Sequence, residues 1–372
     1  HTVRVTPAEG ETQVSRSVEA GVFEPVETEL AIDADDVVLA TGSRPLALPG
    51  NPFAGALIDS TQALELNTLP SSAVIIGAGA VALEFASLWN AAGCEVTLLI
   101  RKDRVLSTWE RRASMTLTRE LKRRGVNVIA RTAVDRVDTG ANLGATVHYR
   151  QGDSDEDRTA YGEVVLAAIG RVPNTDADWF RSSGLKLDER GYVTVDGYGR
   201  TNLDGVWALG DITPGHALAH RAFEQGITIA EKIAGADPKP VLDDTVPQVV
   251  FSFPEAASVG LTLDQAKARE DVVEPKETAY PMLSNARMLM SGEGGSMTVV
   301  SGAFANNPDM QVVLGVHIVS PIASDLIAEA EQLVGNRVPL ADAARLIHPH
   351  PTFSETLGEA LLKADGRPLH TR

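Results

Sequence analysis

The chain has 372 residues, 44% of them apolar, and a formal net charge of −17. That length exceeds one ordinary domain, so two or three are expected, and the acidic surplus argues against nucleic acid and anionic membrane surfaces, both of which select basic faces. No apolar run is long enough to span a bilayer, no charged-then-apolar leader precedes the first domain, and a single cysteine, Cys94, excludes an internal disulfide, so a cytoplasmic, reducing setting is expected. The chain opens on His1 and not on Met, which reads as a processed, truncated or partial product.

Along the chain, Asp36 to Leu39 reads as a buried strand ending in the small-residue turn Ala40-Thr41-Gly42-Ser43. The most informative stretch follows: the apolar strand Val74-Ile75-Ile76, the turn Gly77-Ala78-Gly79, an amphipathic helix through Ala82 and Glu84, and a second strand, Glu95 to Ile100. This order predicts a nucleotide cradle. Gly77 allows the tight turn, Gly79 lets the backbone approach a pyrophosphate, Ala82 permits close helix–strand packing, and the helix N-terminus offers free N–H groups to phosphates. A carboxylate at the end of the second strand would hold a free ribose, whereas a 2′-phosphate needs cations there. The chain places Ile100-Arg101-Lys102-Asp103-Arg104 at that point, which selects NADPH over NADH. A charge-assisted contact from Arg101 is worth about 1.5–3 kcal/mol, or roughly one to two decades of preference. The alternative is that Arg101, Lys102 and Arg104 form a solvated basic turn.

A helix at about Arg111 to Arg124 and strands between Val126 and Tyr149 complete this domain, and Glu163 to Asn174 repeats the strand-and-turn design of Asp36 to Pro45. Next, Thr201 to Asp211 reads as a strand whose last residue is an acid, before a helix-like segment from Ala217 to Gly226. Such an acid, facing a helix start, commonly holds a sugar hydroxyl. From about Thr245 onward, strands at Val249–Phe253 and Val312–Val319 and a helix from Ser324 to Val334 suggest an interface module for a two-fold dimer, or else an ordinary α+β domain. The methionines of Met282 to Met290 read as flexible core filler.

Taken together, ATGSRP from Ala40, GAGAVALE from Gly77, AAIGRVPNT from Ala167, GVWALGD from Gly205 and His348-Pro349-His350-Pro351-Thr352-Phe353-Ser354-Glu355 resemble the flavoprotein pyridine nucleotide-disulfide oxidoreductases. The closing motif is most similar to the dihydrolipoamide dehydrogenase branch. The resemblance covers essentially the whole chain and implies FAD and a nicotinamide nucleotide, NADP by the reading of Arg101 and Lys102 above, with NAD possible. It implies that Thr41, Gly42 and Asp211 lie at the FAD, Asp211 on a ribityl hydroxyl, with Ala219 and His220 near the flavin's pyrimidine edge. Gly77, Gly79, Ala82, Glu84 and Gly170 would line the nicotinamide nucleotide site, Glu84 close to the nicotinamide. It further implies a homodimer in which the C-terminal pair reaches the partner's flavin and redox disulfide.

The chemistry of that pair also follows from its residue types. Oxidation of a dithiol such as dihydrolipoamide proceeds through a thiolate, so a base must take the thiol proton, and imidazole suits this near neutral pH. His350 is the candidate base, Glu355 its orienting carboxylate, and His348 a structural residue. Against the family pattern, the chain lacks the first glycine-rich FAD cradle, the CxxxxC redox disulfide and the flavin-contacting lysine. Cys94 reads as a buried structural thiol.

The expected architecture is α/β: a doubly wound NAD(P)H-binding domain at 61–178 inserted in a partial FAD-binding domain at 1–60 and 179–244, then an α+β dimerisation domain at 245–372. The favoured account is an N-terminally truncated disulfide oxidoreductase that is inactive alone and retains no FAD. Two alternatives stand beside it, an NADPH-dependent quinone or metal-ion flavin reductase and a non-enzymatic dimeric nucleotide-binding remnant.

Overall fold

The computed structural model describes residues 1–5, 14–19, 22–26, 30–140 and 144–371, with side chains from 31 onward and in 1–5. Two compact units emerge, one of 45–172 with 243–372, the other of 1–44 with 173–242.

The larger unit holds a five-stranded parallel sheet built from β1 (Leu57–Ile58), β2 (Ser72–Ile76), β3 (Glu95–Ile100), β4 (Asn127–Ala130) and, later in the chain, β8 (Val164–Ala167), in the order β4-β3-β2-β8-β1. Its edge strand β1 thus precedes Thr61. Residues 73–76 are all buried, as a parallel strand covered on both faces requires. Helix α1 (Ala80–Ala91) joins β2 to β3 and buries Ala82, Leu83, Phe85, Ala86 and Trp89, a stripe at helical spacing. Gly93, at φ +95°, lets the chain turn out of it. Helix α2 (Arg111–Arg123) is capped by Glu110, whose carboxylate accepts from the N–H groups of Arg112 and Ala113, and it buries Ala113, Leu117 and Leu121. An antiparallel meander of β5 (Thr132–Thr139), β6 (Ala145–Gln151) and β7 (Arg158–Gly162) then leads into β8.

The same unit contains an antiparallel sheet of β9 (Gln248–Val250), β10 (Glu255–Gly260), β11 (Val272–Tyr280), β12 (Ser296–Phe304) and β13 (Asn307–Ser320), ordered β9-β10-β13-β12-β11. Residues 312–320 of β13 are buried without alternation, because both faces are covered. Helix α2 lies against β12 and β13, while α3 (Ala323–Gly335) covers β10 and β13, and α5 (Glu355–Ala364) covers β11 and β12. The short α4 (Leu340–Ala343) stands between α3 and α5 in sequence. One apolar cluster runs from Leu98 and Leu117 to Val250, Ala256 and Val319, so the parallel sheet and the antiparallel sheet share packing within this unit.

In the smaller unit, a core of Phe180, Leu185, Val193, Val206, Ala208 and Ile212 supports a parallel pair, Val37–Leu39 with Val206–Ala208. Three expectations need correction here and in the antiparallel sheet. The strand Val37–Leu39 is only half-buried, with Val38 exposed, since its one strand partner among the described residues leaves a face uncovered. Its likeness to β8, which is buried, is therefore one of sequence design and not of environment. The strand expected to end at Asp211 stops at Ala208, and Asp211 lies in a single 3₁₀ turn, Gly210–Ile212, whose first N–H is taken by the Gln225 side chain. The strand expected over Val249–Phe253 ends at Val250, because the next N–H groups leave the ladder: that of Phe251 donates to Glu84 and that of Phe253 to Ser87. In the methionine segment, Met282 and Met288 are core residues but Met290 is exposed.

Candidate active site

The glycine turn after β2 is fixed by contacts that only glycine permits. Gly77 has φ +141°, and a Cβ there would stand 2.2 Å from the Ala168 carbonyl oxygen and 3.4 Å from the Ala82 Cβ. Gly79 is the N-cap of α1, and a Cβ on it would meet nothing within 4 Å. The turn thus leans on β8 through Gly77 and presents open space at Gly79, where the first N–H groups of a twelve-residue helix have no intrahelical partners.

That space opens into a cavity of about 710 Å³ lined, among others, by Gly77, Gly79, Arg101, Lys102, Gly170 and Thr132. Five of these, all but Thr132, were singled out in the sequence, along with Ala82, which is fully buried beneath the turn. Ile100 is also fully buried, so the side chain at the end of β3 points into the core and the exposed Arg101 and Lys102 are the first to face out. The loop after β3 is drawn over the turn by the Leu106 N–H, which donates to Ala78 O at 2.9 Å, and Leu106 adopts φ +44° to do so. Arg104 departs from the expected basic cluster: it is held by the Asp103 carboxylate and the Ser107 carbonyl, and is not among the cavity lining. Ser107 and Thr132 also line the cavity and carried no signal in the sequence beyond their being hydroxyl residues.

Glu84, one turn into α1, is half-buried and accepts the Phe251 N–H at 3.0 Å. Cys94 is buried, and burial, reinforced by Glu163 and Glu95, pushes its thiol up to about 11, so it is an inert packing residue at neutral pH.

In the smaller unit, Asn174 ties down the Thr41-Gly42 turn by accepting from the Thr41 hydroxyl at its carbonyl and donating its side-chain amide to Thr41 O. Its own N–H bonds Gly42 O. Asp211 accepts from the Ser43 hydroxyl, and Ala219 and His220 form the exposed first turn of the helix Ala219–Ile233.

The C-terminal histidine and carboxylate meet as expected. His350 Nδ1 and Glu355 Oε1 are 2.8 Å apart, and Glu355 Oε2 accepts the Thr352 N–H at 2.8 Å. Partial burial opposes ionisation of Glu355, but the Thr352 N–H and the His350 ring outweigh it and hold its pKa below the ordinary carboxylate value. A carboxylate can only accept, so Nδ1–H is the donor, and in the neutral ring Nε2 carries the lone pair. The His350 side chain is 76% exposed, which presents that nitrogen outward. His348, two residues earlier, turns inward to Glu329 on α3 at 2.9 Å.

Residues 1–226 match the model of the pyridine nucleotide-disulphide oxidoreductases, and residues 246–361 that family's dimerisation domain. The chain belongs to this family. A dihydrolipoyl dehydrogenase of Cupriavidus necator is 36% identical over 342 residues, covering 91% of this chain and 70% of that protein. One from Geobacillus stearothermophilus is 37% identical over 341 residues, covering 90% and 69%. Among solved structures, LpdA of Mycobacterium tuberculosis superposes with a TM-score of 0.80 at 28% identity over 98% of this chain and 76% of that one. The disulfide oxidoreductase family is one of FAD- and nicotinamide nucleotide-dependent enzymes, which identifies the class of both cofactors.

The two cofactors fit this chain unequally. A glycine turn with open space at Gly79, two outward cations and an open cavity fit a nicotinamide nucleotide. For the flavin, the residues that the family resemblance assigns are Asp211 and the first turn of the helix Ala219–Ile233, and the 372 residues contain no second glycine cradle for a pyrophosphate.

Proposed function

We propose that this chain serves an NADPH-linked dithiol–disulfide oxidoreductase whose dithiol substrate is of the dihydrolipoamide kind, with His350 as the base and Glu355 as its orienting partner. The observation that carries this reading is the His350–Glu355 hydrogen bond, which engages Nδ1 and leaves Nε2 of the exposed ring as the lone-pair nitrogen of the neutral form. That nitrogen accepts the thiol proton as the thiolate forms, and the Glu355 carboxylate stabilises the imidazolium through Nδ1–H. The nucleotide, when bound, exchanges a hydride at its nicotinamide. The chain's part is to hold the phosphates at the α1 N-terminus, to place Arg101 and Lys102 at the adenosine end, and to keep Glu84 one turn into the same helix.

A second copy of the chain belongs to this reading, since the dimerisation domain carries the base on an exposed loop. A cytoplasmic setting accords with one reduced cysteine. Separating the two half-reactions of the flavin-loaded enzyme tests the assignment. A His350 substitution should slow the dithiol half-reaction and spare the nucleotide half-reaction, whereas equal effects on both would remove His350 from proton transfer.

A further inference from the structure

The base is held in place by groups that do not touch the reacting atoms. His348 is half-buried, its side chain 9% exposed, and its Nε2 lies 2.9 Å from Glu329 Oε1 on α3. Its ring rests on α5 at Gly358, where a Cβ would come within 2.5 Å of His348 Nδ1. A glycine inside a helix costs about 1 kcal/mol relative to alanine, and the ring explains why α5 carries one there. The hydrogen bond to Glu329 also keeps the His348 pKa above its ordinary value, against the effect of burial, so the pair is ionic when the imidazole is protonated.

The loop is gripped at its other end by Asn285, which is buried and donates its amide to Thr352 O at 3.0 Å while accepting the Met288 N–H that caps the helix Ala286–Ser291. The N–H of the same Thr352 bonds Glu355. Arg287 lies 5.3 Å from the centre of the Phe353 ring. Between these anchors Pro349, His350 and Pro351 are all exposed, and within the loop the Thr352 hydroxyl donates to the Pro349 carbonyl at 2.6 Å, so the loop's hold on the rest of the fold comes through its two ends.

We infer that Glu329, through His348, and Asn285, through Thr352, are positioning residues that hold the loop in the one arrangement where the His350 ring meets Glu355. The inference rests on His350 being the base, and it predicts a state of the His350 ring that is observable without turnover. In the chain carrying ¹⁵N-labelled histidine, His350 should show a single tautomer protonated at Nδ1. In Glu329→Ala, with His348 no longer fixed, that signal should move toward the mixture of tautomers of a free imidazole, as it should in Asn285→Ala. Glu329→Gln, which keeps an acceptor oxygen for the His348 ring N–H, should restore most of the wild-type signal.

In the flavin-loaded enzyme, Glu329→Ala should lower kcat for the dithiol about tenfold with KM changed less than twofold, and Glu329→Gln should recover most of it. An unshifted His350 signal in both folded alanine variants would overturn the clamp, as would a loss in Glu329→Ala that Glu329→Gln fails to recover. Wild-type dithiol turnover in His350→Gln would instead remove the base assignment, and the tautomer measurement would still decide the clamp by itself.

Discussion

The Cα of Gly77 faces the carbonyl oxygen of Ala168 so closely that no side chain fits between them: a Cβ would lie 2.2 Å from that oxygen. This contact couples the nucleotide turn after β2 to the residue that follows β8, the strand hydrogen-bonded beside it. Two glycines of one motif therefore do different work, and substitution separates them. Gly77→Ala should lose both stability and nucleotide binding, because a positive φ and a backbone collision are each worth about 1–3 kcal/mol. Gly79→Ala meets no protein atom and should cost no more than about 1 kcal/mol, the scale of a poorer N-cap. Its new methyl projects into the space for the phosphates, so nucleotide affinity should fall about tenfold or more. Urea unfolding and nucleotide titration of both variants check the contrast; equal stability losses would place the turn's constraint elsewhere.

The choice of nucleotide is expected to follow the two cations on the cavity wall. With Ile100 buried and Arg101 and Lys102 facing out, NADPH should bind about one to two decades more tightly than NADH. Arg101→Glu should narrow or reverse that gap by repelling the 2′-phosphate, whereas Arg104→Ala should change it little, since Arg104 is held by Asp103 and the Ser107 carbonyl. Titration calorimetry with both nucleotides is the measurement. Equal affinities that survive Arg101→Glu would make these residues an ordinary solvated turn.

How much of this was legible in the sequence depends on how local each feature is. Gly77, Gly79 and Arg101 could be read because the strand–turn–helix unit is encoded in contiguous residues whose periodicity and glycines carry direct physical meaning. His350 and Glu355 were legible for the same reason, since five residues and one tight loop bring them together. The clamp was not, because Glu329 and Asn285 meet the loop across 19 and 67 positions, and neither residue type announces a partner. Asn285 bore a weaker sign as a helix N-cap ahead of an apolar run. The boundary of β9 failed for a related reason: Val249 to Phe253 has strand composition, but the N–H groups of Phe251 and Phe253 are claimed by Glu84 and Ser87 from another part of the chain.

Two histidines, His317 fully buried and His348 half-buried, give stability opposite dependences on pH. His317 lies fully buried in β13, and its Nε2–H donates to Leu261 O at 3.2 Å, so Nδ1 accepts from the Ser258 hydroxyl at 2.7 Å and the ring is neutral. Burial depresses its pKa, only partly opposed by the charge of Glu110. The unfolded chain therefore binds a proton that the folded one refuses, and stability should decline as pH falls below about 6.5.

His348 has the reverse sign. Its pKa is raised by Glu329, with Glu355 adding to the effect, so its contribution is complete below the unfolded value and is lost as pH climbs through the folded one. Each tenfold displacement of an acid constant is worth about 1.4 kcal/mol. Urea midpoints measured from about pH 5 to 9 should thus form a dome. His317→Gln should flatten the acid limb and Glu329→Gln the alkaline limb; an acid limb unchanged in a folded His317→Gln protein would assign that loss to other groups.

The proposed catalytic pair, His350 and Glu355, makes the sharpest prediction, because on this proposal its two members act on the same proton in different ways. In the flavin-loaded enzyme, His350→Gln removes the acceptor nitrogen while keeping a polar side chain of similar reach, so dithiol turnover should fall by about two to four decades, the usual scale of a lost general base. Glu355→Gln retains an oxygen that can accept from His350 Nδ1–H at the same place but gives up the negative charge that favours imidazolium. Its turnover should fall between wild type and His350→Gln. The same change also leaves the Thr352 N–H facing an amide instead of a carboxylate, so a part of its effect should appear as a looser loop and a lower thermal midpoint. Reduction by NADPH needs no thiol deprotonation, and its rate should survive nearly intact in both variants. Stopped-flow measurement of each half-reaction separates the two contributions. A Glu355→Gln enzyme as impaired as His350→Gln, with its fold intact, would show that the carboxylate's charge and not the imidazole's geometry limits the proton transfer.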